Sequence, residues 1–294
     1  MTTTTLTPTP VPAPPARGAL TFGGILRSEW IKLRTVRSTV WCYAIIIVLT
    51  VLFGILLAST FQGDMAGPLS EDDHQRLGVQ AMTISIGFSQ LVASVLGVLV
   101  ISGEYGTGMI RSTLTAVPRR TPALLAKAVV FGAVTLAVGL IAIGGTALVT
   151  SPLLPRSGLE PDFGDPQLLF ALGGGALYLT LVGVLSLTIG AIVRNSAGGI
   201  AASLGLLLVL PTVLQILGGI TNATWVQNLI AFLPSSAGDR LYTYAAEASV
   251  SSVADGAMTD GIITLSSLQG GLVLGCWVVV LLLAAIALLK RRDV

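Results

Sequence analysis

Charge is scarce in this chain. Of its 294 residues only 10% are charged, whereas 53% are hydrophobic. A soluble domain of this size carries about 25% charged residues to cover its surface, so a soluble enzyme is excluded. Histidine and cysteine are scarcer still: His74 is the only histidine, and Cys42 and Cys276 are the only cysteines. Neither a His-Glu-x-x-His pair nor a cysteine cluster can be assembled from them. His74 lies beside Asp72 and Asp73 and reads as part of a solvated acidic loop, with a lone surface metal site as the alternative. The three lysines, Lys32, Lys127 and Lys290, follow Ile31, Ala126 and Leu289. None follows glycine, so the Gly-Lys-Ser/Thr ending of a phosphate-binding loop is missing. The sequence thus predicts no catalytic residue, no metal site and no ATPase activity in this chain.

What the chain has instead is long uncharged apolar runs. A hydrocarbon layer about 30 Å thick needs about 20 residues of apolar helix. Six stretches meet that requirement: Val40–Ser59, Met82–Ser102, Ala128–Leu148, Leu168–Val193, Ala197–Leu217 and Gly270–Leu289. The fold class that follows is an all-α membrane protein with six transmembrane helices. Only Arg194, Asn195 and Ser196 separate the fourth and fifth stretches. One continuous helix there would leave an arginine at mid-membrane, a cost of several kcal/mol, so a tight helical hairpin is predicted.

The basic residues set the orientation. With the N-terminus inside, thirteen of the sixteen Lys and Arg residues fall on inner segments, and only Arg76, Arg156 and Arg240 fall outside. Acidic residues run the other way, with Glu71, Asp72, Asp73, Glu160, Asp162, Asp165 and Asp239 outside. The positive-inside rule then places both termini in the cytoplasm. Trp41 at the inner boundary and Trp225, Tyr242 and Tyr244 outside fit aromatic belts. This topology puts Cys42 and Cys276 near opposite faces, ~20 Å apart by the helical rise. A disulfide needs Cα atoms within about 7 Å, so two free thiols are expected.

None of the six predicted spans holds Asp, Glu, Lys, Arg or His in its interior. Ion- or proton-driven carriers place such groups at depth, and many ion channels line pores with charged rings. Energy for uphill transport would therefore have to come from elsewhere. Small-residue pairs, Gly271–Gly275 and more loosely Ala201–Gly205, Ser186–Gly190 and Ala93–Gly97, allow close helix packing, either within one subunit or at a dimer seam. Pro211 predicts a kink in the fifth span.

Three segments outside the spans stand apart. Residues 1–19 are a Thr/Pro/Ala-rich tail, read as disordered with a proline-rich docking ligand as the alternative; Thr2–Pro15 lacks the apolar core of a signal peptide. Residues 20–37 read as an interfacial amphipathic helix, with Phe22, Leu26, Trp30 and Leu33 on one stripe facing the headgroups and Arg27, Lys32, Arg34 and Arg37 mostly off it, toward anionic lipid. Glu29 falls near the stripe, where it either pairs with Lys32 or contacts a partner; the helix is a membrane anchor or a coupling element. Residues 103–122 follow span two. They open with three spaced glycines, and Thr107 or Gly108 is placed to cap a short helix bearing Met109, Ile110 and Leu114, which Pro118 stops. On physics alone this is a docking element or an ordinary basic loop. Asn222-Ala-Thr224 matches a glycosylation acceptor, a motif too short to weigh.

Three places carry a family resemblance: Ser28-Glu29-Trp30-Ile31-Lys32-Leu33-Arg34-Thr35-Val36-Arg37-Ser38, the Gly103–Arg120 segment, and Leu233-Pro234-Ser235-Ser236-Ala237-Gly238. Residues 20 to 294 resemble permeases of the type-2 ATP-binding-cassette (ABC) exporter family, actinobacterial members especially. The resemblance implies that 20–37 is an elbow helix, with Glu29, Trp30, Lys32 and Arg34 as its characteristic residues. It implies that Thr107–Ala116 is a coupling helix meeting an ATPase, with Glu104, Tyr105, Thr107, Gly108, Arg111, Arg119 and Arg120 as coupling residues. It also implies that 218–269 is an outer re-entrant segment, with Trp225–Leu233 entering the membrane edge. The expected partners are two copies of an ABC ATPase subunit, which hold the ATP and Mg²⁺, a second permease subunit (identical or not) and membrane lipids; nucleic acid is not among them. A bacterial plasma membrane is the expected location. The cargo would be amphipathic, lipid-like or drug-like, exported past hydroxyls and amides such as Ser89, Gln90, Tyr178 and Thr180. Two rival readings are a self-sufficient carrier or channel and a non-transporting sensor or scaffold subunit.

Overall fold

The computed structural model describes residues 21–60, 71–109, 120–157, 162–244 and 261–291. Its elements are α1 (Phe22–Thr35), α2 (Arg37–Thr60), α3 (Glu71–Thr83), α4 (Ile86–Gly106), α5 (Arg120–Thr150), α6 (Pro166–Val193), α7 (Ser196–Leu204), α8 (Leu210–Thr221), α9 (Thr224–Ala231), α10 (Pro234–Asp239) and α11 (Ser267–Arg291). No strand occurs among the described residues. Six helical stretches are long and apolar enough to cross a membrane: 37–60, 75–106, 121–150, 166–193, 196–221 and 267–291. Each contains one predicted span and overruns it. Apolar runs stop at the first polar residue, whereas a helix continues until its backbone is capped. Two overruns matter for function. The second stretch carries Glu104 and the third carries Lys127, each just beyond the end of the predicted span, so the overrun adds a charged group to the helix while the predicted interior keeps none.

The bundle is built around α6, the most buried of the six, which packs against α4, α5 and α11. Close approach comes from small residues. A methyl group at Gly97 of α4 would run into the Gly183 carbonyl oxygen of α6, so Ala93–Gly97 serves packing within the chain. Ser186–Gly190 does the same: Ser186 bonds Ser94 at 2.9 Å, and Gly190 sits against Val98 and Ile101. Gly271 meets Leu241, but Gly275 and Gly205 face open space. Further hydroxyl pairs tie spans together, Thr50 to Ser89 at 2.7 Å and Tyr43 to Thr135 at 2.9 Å. In an apolar medium such bonds hold helices together where no hydrophobic force can.

The predicted hairpin is present. Arg194 takes a left-handed conformation (φ 58°) and ends α6, while Asn195 caps α7 by accepting from the Gly198 N–H at 2.9 Å. Ahead of Pro211 the fifth span passes through a π-helical turn at Gly205–Val209. Proline supplies no N–H and its ring crowds the carbonyl four residues back, so the ladder widens there. At the opposite end of the bundle α9 turns back along α8, and α10 packs on α11. The Trp277 indole N–H donates to the Phe232 carbonyl at 3.0 Å. Trp277 lies ten residues into α11, about 15 Å along its axis. Both cysteines are free.

Of the sequence expectations, the tail, Arg111, Arg119, the body of the coupling helix and residues 245–260 of the outer segment lie outside the described residues, and only the backbone of Arg120 is described.

Candidate functional site

Helix α1 begins at Thr21, whose hydroxyl accepts from the Gly24 N–H at 3.3 Å. It ends at Val36, whose backbone is extended, and α2 starts at once. The face it buries is Ile25, Glu29 and Leu33, with Ile25 against Ala123 and Ala126 of α5. Of the predicted stripe, Leu33 is buried here, whereas Phe22 and Trp30 are about half exposed; Glu29, the residue that spoiled the stripe, lies at the centre of the buried face. A lone carboxylate there would be costly; it is buried because two ammonium groups meet it.

Those groups belong to Lys32, one turn along, and Lys127, in the second turn of α5. Lys32 Nζ lies 2.7 Å from Glu29 Oε1, and Lys127 Nζ lies 2.6 Å from Glu29 Oε2. The same two ammonium groups converge on Glu104 Oε1, each at 2.9 Å. Two carboxylates and two ammonium groups thus close a ring that joins α1, the last turn of α4 and the start of α5. Glu29, Glu104 and Lys127 are each at least nine-tenths buried, and the ring carries no net formal charge. Burial alone would lower the Lys32 ammonium; the hydrogen bonds and charges of Glu29 and Glu104 outweigh it and hold the group above its ordinary value. Glu104 Oε2 is buried and has no hydrogen-bond partner.

Next to the ring, the Arg194 guanidinium sits 5.5 Å from the centroid of the Tyr105 ring, a cation–π contact that links the α6–α7 turn to the end of α4. Beyond Tyr105 the helix stops. The Thr107 N–H and hydroxyl both bond the Gly103 carbonyl, at 3.1 and 2.8 Å. Gly108 takes φ +72°, a conformation that strongly favours glycine, and Met109 is helical again. Gly103 and Gly106 are therefore helical, not the start of a loop, and Thr107 closes α4 instead of opening the next helix. Thr107, Gly108 and Met109 are exposed.

The predicted coupling residues so divide into two kinds. Thr107 and Gly108 lie on the surface, whereas the buried Glu104 carboxylate accepts from two lysines inside the protein. Of the elbow residues, Glu29 and Lys32 join the ring, while Trp30 and Arg34 point outward. The four residues assigned to a cargo path are all buried in helix contacts: Ser89 bonds Thr50, the Tyr178 hydroxyl donates to the Gln90 side-chain oxygen, and the Thr180 hydroxyl donates to the Ala176 carbonyl. Sequence reasoning missed Lys127 and Arg194. Lys127 had a signal, a single cation in the otherwise apolar run Pro122–Val134; Arg194 was read only as the hairpin turn.

The family described as "ABC-2 family transporter protein" matches residues 24–294. No curated protein matches the chain.

Proposed function

The chain belongs to the ABC-2 transporter family, and from that premise we propose that it is the membrane-spanning permease subunit of an exporter driven by a separate ATPase. ATP and Mg²⁺ belong to that partner, two copies of which serve a pair of permease subunits in a bacterial plasma membrane. The basic end of the bundle faces the cytoplasm in this reading, with α1 as the elbow at the membrane surface and the segment after Gly108 as the coupling helix. Residues 224–239 form the outer re-entrant element, in keeping with the bond from Trp277 to Phe232.

The observation that carries this reading is the ion ring. A partner pressing on the segment after Gly108 acts on the end of α4. Because Glu104 is clamped to Lys32 and Lys127, that push is delivered to α1 and α5 together, and through α4 to the central helix α6. Rigid-body movement of packed helices is the way such a displacement becomes an opening. The charged side chains that a self-powered carrier places at depth do not occur in the interiors of the described spans, whose charged residues, Arg37, Arg76, Glu104, Lys127, Lys290 and Arg291, all lie near their ends. The cargo in this reading is apolar or amphipathic.

Co-expression with a soluble P-loop ATPase encoded beside this chain tests the proposal. The expected result is a stable complex whose ATP hydrolysis is coupled to movement of an amphipathic solute in vesicles. Uphill transport by this chain alone, without nucleotide, would refute it; a complex that binds but never transports would favour a sensor or scaffold role.

A further inference from the structure

Where α6 and α11 begin, an open groove of about 550 Å³ lies between them, within the range that holds small-molecule ligands. Leu169, Phe170 and Leu177 of α6 and Leu268 of α11 line it, with Leu241 from the turn after α10. From Gln167 to Leu177 it runs about 15 Å along α6. Spread over that length, its volume gives a cross-section of about 37 Å². A helix about 10 Å across needs ~80 Å², so the groove is too narrow for a helix of a second copy and suits a chain-like molecule.

Its depth follows from the far ends of the same two helices. Arg194 caps α6, and Lys290 lies in the last turn of α11; these cations mark one edge of the hydrocarbon. A layer about 30 Å thick is crossed by about 20 helical residues. Counted back, the other edge falls at Gly174 in α6 and at Gly270 in α11. The two counts meet at one level, because the turn after α10 is wedged there, with the Leu241 carbonyl against Gly174 and the Arg240 Cβ against Gly270. Leu177 then lies on the hydrocarbon side. Leu169, Phe170 and Leu268 stand more than half exposed in the headgroup layer, where apolar surface calls for cover. Arg240 is exposed at the edge itself. Asp239 feels its charge, but the Asp239 Oδ1 is taken by the Tyr242 hydroxyl, and the five-donor guanidinium keeps capacity for a phosphate.

We infer that this groove binds one phospholipid of the leaflet at this end of the bundle, with its phosphate on Arg240 and its glycerol and chains against Phe170, Leu268 and Leu177. The phosphate supplies the negative charge at the level where the guanidinium emerges. The glycerol esters and upper chain carbons cover the apolar residues that water would otherwise meet. The inference does not depend on coupling to an ATPase.

The test uses the full chain in detergent micelles, so that no bulk bilayer competes, and a phosphatidylcholine carrying a diazirine high in one chain. On illumination the probe is expected to label the Gln167–Leu177 stretch or Leu268. Dioleoyl phosphatidylcholine should compete about fivefold better than dioleoylglycerol, which has the same chains and no phosphate; that is the upper worth of an exposed ion pair. Arg240→Gln should abolish that preference. Gly173 lines the groove, and a methyl group added there meets no atom within 4 Å. Gly173→Leu therefore fills the groove without displacing a packed neighbour, and should abolish the labelling even if Arg240→Gln fails to fold. Label spread evenly over α2 and α8, equal competition by the diacylglycerol, or labelling that survives Gly173→Leu would overturn the inference. So would the absence of label at these residues, which would mean that a second copy or another part of the chain fills the groove.

Discussion

Removing Lys127 should unfasten three helices at once. Lys127 is 5% exposed, and its ammonium bonds Glu29 at 2.6 Å and Glu104 at 2.9 Å. In Lys127→Met the stem is replaced at similar volume, so packing is largely kept and the effect is electrostatic. Glu29 Oε2 loses its partner, and Glu104, which already has one unpartnered oxygen, keeps only Lys32. The ring passes from neutral to one net negative charge in a buried setting. Breaking a buried pair from one side costs about 3–5 kcal/mol, a factor of roughly 10² to 10³ or more in the folding equilibrium. Unfolding of the purified chain in mixed micelles by a denaturing detergent measures this directly. The double variant Lys127→Met/Glu104→Gln restores neutrality, leaving the Glu29–Lys32 pair. It should recover at least about 1 kcal/mol of the loss, the non-additivity expected for groups in one network. The reasoning fails if Lys127→Met costs less than about 1 kcal/mol, the worth of an exposed pair, or if the two substitutions simply add.

Other outcomes follow from the same structure. Gly97→Val places a branched side chain where the Gly183 carbonyl already stands, and should cost about 1–3 kcal/mol or more by overpacking, read as a lower thermal midpoint. Asn195→Ala removes the cap that accepts from Gly198 and should cost about 1 kcal/mol with no change in helix content. Burial raises the Asp239 carboxyl above its ordinary 3.8, against the opposing hydrogen bond from Tyr242 and the charge of Arg240. Above pH 3.8, up to that raised value, the folded chain keeps a proton that the unfolded chain has lost. Stability should therefore fall as pH rises through this window. Asp239→Asn keeps an acceptor for Tyr242 and should flatten that slope in thermal unfolding measured from pH 3.8 upward; an unchanged slope would contradict the assignment.

The spans and the Arg194 hairpin were legible because they rest on local properties, uninterrupted apolar length and the cost of an arginine at depth. The face that α1 packs on the bundle was not. Phe22, Leu26, Trp30 and Leu33 mark the side suited to headgroups, but the side buried in the protein is Ile25, Glu29 and Leu33. That face depends on Lys127, ninety-eight residues further on from Glu29, and no periodicity reports so distant a partner. The same limit hid the role of Glu104. Its position before the glycines was visible, but whether its carboxylate faces a partner protein or two lysines depends on α1 and α5 closing over it. The end of α4 was misplaced for a smaller reason. Glycines at 103 and 106 suggest a loop, but the Thr107 cap on the Gly103 carbonyl lets the helix run on to Gly106.

The central claim is that α1, α4 and α5 move as one body because the ring holds them. Spin labels at Ile31→Cys and Gly106→Cys, on a Cys42→Ser/Cys276→Ser background and in one diluted copy per complex, measure the α1–α4 distance by pulsed electron resonance. The account predicts one narrow distance, unchanged between nucleotide-free and ATP-bound complexes, that broadens or shifts in Lys127→Met. A distance that moves by several ångströms with nucleotide while the ring is intact would contradict it.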